Sequence, residues 1–250
     1  MLNGVYQNAA AMTGLESWNN GIAQNLSQSM APGYKQASVS FEGKTTGLMA
    51  YQSANGKAGF AESVTATSQA TTDFTQGTLR HTGDAFEFAL EEEGFFELRR
   101  PDGELVYTRD GQFHVNNEGE LVSKQGYHVM SDTRNEITLI PDGGELSGEL
   151  DGTLKQNGQT IGKIGVQVAA DPSQLVRSHG GFALPEDSDM ELYQTESKIR
   201  QGYLESSNVS ATKEMVNLIN VSRSFQLNQR AISNHDDLLG KAIRSLGGNT

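Results

Sequence analysis

Length, composition and charge exclude several classes of protein at the outset. The chain has 250 residues, 36% of them hydrophobic, and lacks a run of about 18 apolar residues, so no membrane insertion is expected. Its net charge is -12, and Lys and Arg form no cluster, which argues against nucleic acid and anionic lipid as partners. It contains no cysteine, which excludes disulfides, zinc–thiolate sites and thiol catalysis.

Residues 1–30 are predicted to form a helix that ends at Ala31-Pro32-Gly33. Two rows of residues recur in it at intervals of seven: Val5, Met12, Asn19 and Leu26 in one, and Leu2, Ala9, Glu16, Ala23 and Met30 in the other. The first residues have neither the basic nor the apolar region of a secretory signal, so no cleaved signal peptide is expected. Residues 31–82 follow as a predicted extended linker, because they are rich in Ser, Thr, Ala and Gly and too poor in large apolar residues for a core.

Residues 83–202 are predicted to form an antiparallel β-rich domain. Turn-forming sequences separate short apolar segments at Pro101-Asp102-Gly103, Asp110-Gly111, Asn116-Asn117-Glu118-Gly119, Gln125-Gly126 and Asn157-Gly158. Asp110-Gly111 suits the two-residue turn of a twisted hairpin.

Residues 208–247 are predicted to form one long helix, capped by Ser210 and ended by Gly247-Gly248. Every seventh residue is large and apolar in the row Leu218, Phe225, Ile232, Leu239 and Leu246. A period of seven kept over five heptads favours a supercoiled partner, and the N-terminal helix is the candidate within the chain. The predicted fold class is therefore α+β, with the N- and C-terminal helices paired as a coiled coil and a central antiparallel β-rich domain.

The apolar stripes exceed what two helices can cover on each other, so we expect copies of both helices to meet neighbouring subunits. The predicted assembly interface consists of Val5, Met12, Leu26, Met215, Leu218, Phe225, Ile232, Leu239, Ile243 and Leu246.

No catalytic, cofactor-binding or metal site is predicted. The five His residues have no metal-ligand spacing, and "GKTT" at 43–46 lacks the earlier Gly of a phosphate-binding loop, because Ser38 stands there. Glu91-Glu92-Glu93 and Asp236-Asp237 could supply the two carboxyls of a glycosidase, but a solvated acidic surface is favoured. Arg109 could either bridge subunits or form an ion pair within its hairpin.

Three stretches resemble one protein family: "QNLSQSMAPGYK" at 24–35, "YTRDGQFHVNNEGELVSKQGYHV" at 107–129 and "QGYLESSNVSATKEMVNLINVSRSF" at 201–225. They resemble, respectively, the T-x-G-[FY]-[KR] turn after the N-terminal helix, the Y-T-R-x-G-x-F pattern, and the G-x-L-E-x-S-N-V entry into the C-terminal helix of the axial proteins of the bacterial flagellum, specifically its basal-body rod proteins. Gln28, Ala31 and Gln226 depart from the residues usual in that family.

The resemblance implies a non-enzymatic structural subunit without cofactors, at a proximal or distal rod position. Such subunits leave the cell through the flagellum's type III export apparatus without a cleaved signal. They assemble with themselves and with other rod and hook proteins into a helical tube that crosses the periplasm. The tube transmits torque from motor to hook and conducts exported flagellar proteins. The alternative class is a secreted β-rich adhesin or glycan-binding module, and a wall-degrading enzyme comes third.

Overall fold

The structure, a computed structural model, describes residues 2–52, 58–141, 143–185, 190–195 and 197–247. It divides into two compact units, each assembled from separate parts of the chain. The first comprises Met1–Ser27, Ala37–Asp73 and Ser210–Thr250, and the second comprises Gln28–Gln36 and Phe74–Val209. Within the described residues, neither helix combines the length and the apolar character needed to cross a membrane.

The first unit consists of two helices and a two-stranded sheet. Its elements are α1 (Leu2–Ser27), β1 (Gln36–Gln52), β2 (Ala58–Asp73) and α2 (Ala211–Gly247). The strands β1 and β2 pair with each other, and α1 packs against both α2 and β2. Both strands lie within the range expected to be an extended linker.

The predicted coiled coil of the terminal helices is wrong. Among residues 10–27 of α1, whose burial the structure describes, the buried ones are Gly14, Ile22 and Asn25, and none of them belongs to either predicted row. Asn19 and Glu16, one from each predicted row, are exposed. The helices do contact each other, and Leu218, Phe225 and Ile232 of α2 are half-buried, but the described residues that α1 buries do not belong to its predicted rows.

The physical reason is that α1 has two different neighbours. The Asn25 side chain binds the backbone of Ala37 twice: Nδ2 donates to the carbonyl oxygen at 2.7 Å, and Oδ1 accepts from the amide at 2.8 Å. A Cβ added to Gly21 would lie 3.5 Å from a Val39 methyl group. Because part of its buried face meets strands and part meets α2, α1 cannot give α2 the continuous seam that a coiled coil requires.

The second unit is the antiparallel β-rich part of the chain. Its strands in chain order are β3 (Leu79–His81), β4 (Phe88–Leu90), β5 (Phe95–Arg99), β6 (Leu105–Thr108), β7 (Phe113–Val115), β8 (Leu121–Ser123), β9 (His128–Val129), β10 (Leu146–Gly148), β11 (Thr153–Gln156), β12 (Gln159–Lys163), β13 (Val166–Ala169), β14 (Val176–Ser178), β15 (Gly181–Ala183), β16 (Leu192–Gln194), β17 (Ile199–Gln201) and β18 (Tyr203–Glu205). The largest sheet runs in the order β14-β15-β6-β5-β9-β8-β7, with β13 also paired to β5. Its central strand β5 contributes Phe96 and Leu98 to the main hydrophobic core.

Two of the predicted turns illustrate how the sequence specifies this part of the fold. Asn157-Gly158 joins the paired strands β11 and β12, and both residues have the positive φ (49° and 77°) of a two-residue hairpin turn. The hairpin predicted at Asp110-Gly111 is wrong, because β6 and β7 on either side of it are not neighbours in the sheet. Gly111 is needed there for a close approach: its added Cβ would lie 1.8 Å from the carbonyl oxygen of Phe88.

Candidate functional site

A buried cluster of three charges joins distant parts of the chain within the second unit. Lys35 Nζ donates to Glu205 Oε1 at 2.7 Å, and Arg109 Nη1 donates to Glu205 Oε2 at 3.2 Å. The side chains of Lys35 and Glu205 are 1% exposed and that of Arg109 is 5% exposed. Each of the three residues comes from a different one of the stretches 24–35, 107–129 and 201–225. The stretches that carry the sequence resemblance therefore meet at one point.

Backbone groups complete the cluster. The Gly77 amide donates to Glu205 Oε1 at 2.8 Å, and Lys35 Nζ also donates to the carbonyl oxygen of Thr75 at 2.8 Å. The Gly33 amide donates to the backbone carbonyl of Glu205 at 2.8 Å. A Cβ on Gly33 would lie 2.2 Å from the carbonyl carbon of Arg109, and its φ is +65°, so only glycine fits here.

Two further side chains fasten the same chain segments. Arg177 Nη2 donates to the carbonyl oxygen of Lys35 at 2.7 Å, and its guanidinium lies 4.7 Å from the centre of the Tyr34 ring. Asn208 Oδ1 accepts from the Gln36 amide at 2.7 Å. Residues 33–36 follow α1 in the chain and residues 205–208 precede α2, so this cluster ties the two segments that adjoin the helices.

The charged groups of this cluster are placed to stabilise the fold rather than to catalyse a reaction. Burial lowers the pKa of Arg109, and the negative charge of Glu205 opposes that shift. Each oxygen of the carboxylate is occupied by a cation or an amide, so it is not placed to act as a base. Neither sequence interpretation of Arg109 foresaw this ion pair, whose acidic partner lies 96 residues away in the chain rather than in the hairpin.

The acidic run Glu91-Glu92-Glu93 was considered as a source of glycosidase carboxyls. Two of its residues form ion pairs with residues in or next to β17. Glu91 pairs with Arg200, and Glu92 lies 3.8 Å from Lys198 Nζ. The side chain of Asp236 lies outside the described residues. Glu91 and Glu92 therefore form part of a charged surface.

The predicted interface residues of α2 fall on more than one side of the helix. Leu218, Phe225 and Ile232 are half-buried, whereas Met215 is 52% exposed. The side chains of Leu239, Ile243 and Leu246 lie outside the described residues, as does that of Val5 on α1. Met12 and Leu26 of α1 are half-buried.

The sequence analysis missed the more deeply buried row of α2. Glu214 and Val221 are only 1% and 2% exposed, and Asn228, seven residues further on, is half-buried. This row lies four residues before Leu218 and Phe225, whereas the predicted interface included Met215, three residues before Leu218. The sequence contains only a weak sign of this row, because Val221 is apolar but Glu214 and Asn228, seven residues before and after it, are polar.

The opposite side of α2 is exposed and partly apolar. Its large apolar residues that are more than half exposed are Met215, Val216, Ile219, Leu227 and Leu238. At about 100° per residue, this set is centred roughly 160° around the helix from Leu218, Phe225 and Ile232. We call it the outer face of α2.

A groove lies between α1 and α2 in the first unit. Its volume is about 450 Å³, and it is lined by Leu15, Glu16, Asn19, Val221, Ser222, Phe225 and Gln226. Phe225 is the largest apolar residue there and is only half-buried, so the two helices leave an apolar depression open at their contact.

One set of metal-ligating side chains gathers in the described part of the second unit. Oxygen atoms of Glu120 and Glu136 and a ring nitrogen of His128 all lie within 4.8 Å of one another. The spacing of His residues in the sequence gave no sign of this site, because its ligands come from three separate segments.

Two family models match the chain. The model "Flagellar basal body rod FlgEFG protein C-terminal" matches residues 200–245, and "Flagellar hook protein FlgE/F/G D1 domain" matches residues 89–166. The first match includes Glu205 and most of α2, and the second includes Arg109 and β5–β9.

Relatives that match most of the chain are also flagellar basal-body rod proteins. The flagellar basal-body rod protein FlgF of Mesorhizobium japonicum is 30% identical over 250 residues, which cover 99% of each chain. FlgF of Caulobacter vibrioides is 32% identical over 175 residues, covering 70% of this chain and 71% of the relative. The rod protein FlgG of Borreliella burgdorferi is 29% identical over 276 residues, covering 97% and 98%.

Proposed function

The chain belongs to the family of flagellar basal-body rod proteins, and on that premise we propose that it polymerises through its terminal helices into the helical tube of the rod. It is a structural protein of the flagellar basal body and assembles with other rod proteins. The resemblance found in the sequence is thereby confirmed. The adhesin alternative has no support, since the matched families and relatives are all flagellar.

The observation that carries the polymerisation proposal is the outer face of α2. In the described part of this 37-residue helix, five large apolar side chains are more than half exposed, and they fall within about 140° of its circumference. Single exposed apolar residues are common, but five on one side of a helix favour a surface that another molecule covers. Because every subunit of a homopolymer carries both surfaces, the outer face of one copy can pack into the groove beside Phe225 of the next. Such a heterologous contact does not close on itself and generates a helical filament.

The buried charge cluster supports the mechanical part of the proposal. The tube transmits torque from motor to hook, so the chain segments next to the helices must not yield under load. Lys35, Arg109 and Glu205 fasten those two segments to the β-rich unit by charge-assisted hydrogen bonds away from water. Flagellar proteins exported through the tube would pass through its interior.

We also propose that the chain reaches its position through the flagellar type III apparatus, without a cleaved signal, and crosses the periplasm as part of the rod. The absence of cysteine suits passage in an unfolded state, since no disulfide would have to be reduced. A subunit so placed needs no cofactor and has no enzymatic activity. Purified protein should therefore release no soluble fragment from peptidoglycan, and Glu92→Gln should leave that result unchanged.

The polymerisation proposal is tested by charge substitutions on α2. Leu227→Asp and Ile219→Asp place a carboxylate where the packed neighbour would bury it, which is strongly unfavourable. Gln229→Asp is the matched control, because Gln229 is exposed and belongs to neither apolar set. Each variant is expressed in cells that lack the wild-type copy, with export measured separately.

We expect Leu227→Asp and Ile219→Asp to be exported but to leave basal bodies without a complete rod, and Gln229→Asp to support normal motility. Phe225→Asp and Ile232→Asp, on the side towards α1, should also prevent assembly. Wild-type motility in all four Asp variants at apolar positions would refute assembly through α2.

A further inference from the structure

The side chains of Glu120, His128 and Glu136 form a cluster on the β-rich unit that the rod function does not require. His128 Nδ1 lies 3.3 Å from Glu120 Oε2, and a Glu136 oxygen completes a set whose ligand atoms are all within 4.8 Å of one another. Glu120 and His128 are half-buried and Glu136 is exposed, so the cluster opens to solvent on one side.

The backbone holds the three residues in place by strand pairing. Glu120 bridges Thr138, and Glu136 bridges Met130. His128 lies in β9 between β5 and β8, opposite Arg99 and Val122. The pairing of β9 fixes the backbone of His128, and single β-bridges fix the backbone of Glu120 and Glu136 after the turns at 117–119 and 132–134.

The polar atoms of the cluster are incompletely satisfied by protein groups. His128 Nδ1 is buried and makes no hydrogen bond within the described residues, although a carboxylate oxygen is only 3.3 Å away. Glu136 has only a long ion pair, at 3.8 Å, with Arg99. Two carboxylates and a ring nitrogen therefore converge with few hydrogen-bond donors of the protein between them.

One of their separations matches that of zinc ligands. Ligand atoms bound to Zn²⁺ at about 2.1 Å in a tetrahedron lie about 3.4 Å apart, His128 Nδ1 and Glu120 Oε2 are 3.3 Å apart, and the Glu136 oxygen lies within 4.8 Å of both. The side-chain Nδ2 of Asn116 donates to Glu120 Oε2 at 2.9 Å, which orients that carboxylate as outer partners of metal ligands do. Three protein ligands leave a fourth position for water.

We propose that Glu120, His128 and Glu136 bind one divalent transition-metal ion of the zinc type. Imidazole together with carboxylate favours Zn²⁺ over Mg²⁺ and Ca²⁺, which prefer oxygen ligands alone. The ion would cross-link the turn before β8, strand β9 and the segment that bridges Met130, and so stiffen the outer meander of the sheet.

The test is a calorimetric titration of the purified full-length chain with ZnCl₂ alone, before and after addition of excess Mg²⁺ or Ca²⁺. His128→Gln and Glu120→Gln each remove one ligand. His114→Gln and Glu118→Gln are their matched controls, because both residues are exposed on the same meander. The melting temperature of each variant is measured without metal to establish that it is folded, and Co²⁺ absorption spectra report the coordination geometry.

We expect one Zn²⁺ per chain, no competition from Mg²⁺ or Ca²⁺, and a melting temperature that rises with Zn²⁺. Either ligand variant should weaken binding by at least about tenfold, while both controls bind as the wild type does. The proposal is overturned if wild-type binding does not saturate at one ion, if the ligand variants retain wild-type affinity, or if the controls lose affinity to the same extent.

Discussion

Replacing Glu205 by Gln tests the role of the buried charge cluster most sharply. The substitution preserves the size and shape of the side chain but removes the carboxylate that accepts hydrogen bonds from both Lys35 Nζ and Arg109 Nη1. Two cations that are 1% and 5% exposed would then lose their ion pair with Glu205. Breaking a buried ion pair from one side costs about 3–5 kcal/mol, a large part of the 5–15 kcal/mol that typically stabilises a domain.

The matched control is a second Glu–Lys pair on the surface. Glu149 contacts Lys155, but these side chains are 52% and 36% exposed, so Glu149→Gln should change the free energy of unfolding by less than about 1 kcal/mol. The assay is equilibrium urea denaturation at pH 7, followed by the circular dichroism of the β structure. In the double variant Lys35→Met/Glu205→Gln, part of the loss should be recovered, since one of the buried cations that lost its ion pair with Glu205 has been removed. A loss below about 1 kcal/mol for Glu205→Gln would refute the reasoning.

Two further predictions concern residues beside this cluster. Gly33→Ala should destabilise the chain by at least about 2 kcal/mol more than Gly103→Ala. Both residues have positive φ, but only at Gly33 would the added Cβ meet backbone atoms at 2.2 Å; equal losses in urea denaturation would contradict this. Burial raises the pKa of Asp110 to about 6, against a backbone hydrogen bond from Gln112 that lowers it. Folding therefore favours the protonated form, and the unfolding free energy should fall as pH rises from about 4 to 6, by at most about 3 kcal/mol. Asp110→Asn should remove this fall and be the more stable protein at pH 7; identical pH profiles for the two proteins would show that Asp110 does not titrate as described.

The positions of helices and turns could be predicted from the sequence more accurately than the elements against which the helices pack. Heptad spacing and end signals predicted helices at both termini, and the turn at Asn157-Gly158 was placed correctly because two positive-φ residues there leave few alternatives. The helix partners could not be obtained in this way. The choice of buried face on α1 depends on strands β1 and β2, and these form in a stretch rich in Ser and Thr whose few apolar residues gave no core pattern.

The charge cluster shows a different limit of sequence analysis. All three motifs were recognised, but each as a local pattern, and Glu205 binds cations that lie 170 and 96 residues away in the chain. A single acidic residue in a chain with 31 acidic residues gives no sign of being buried. The same limit applies to His128, since its neighbours Glu120 and Glu136 meet it only through strand pairing.

The most direct test of the central proposal is an electron cryomicroscopy map of rods assembled from this chain. The account predicts that the outer face of α2, in particular Ile219 and Leu227, is buried against a neighbouring subunit, with the Lys35–Glu205–Arg109 cluster intact in every copy. A map in which Ile219 and Leu227 face solvent while the subunits meet elsewhere would contradict it.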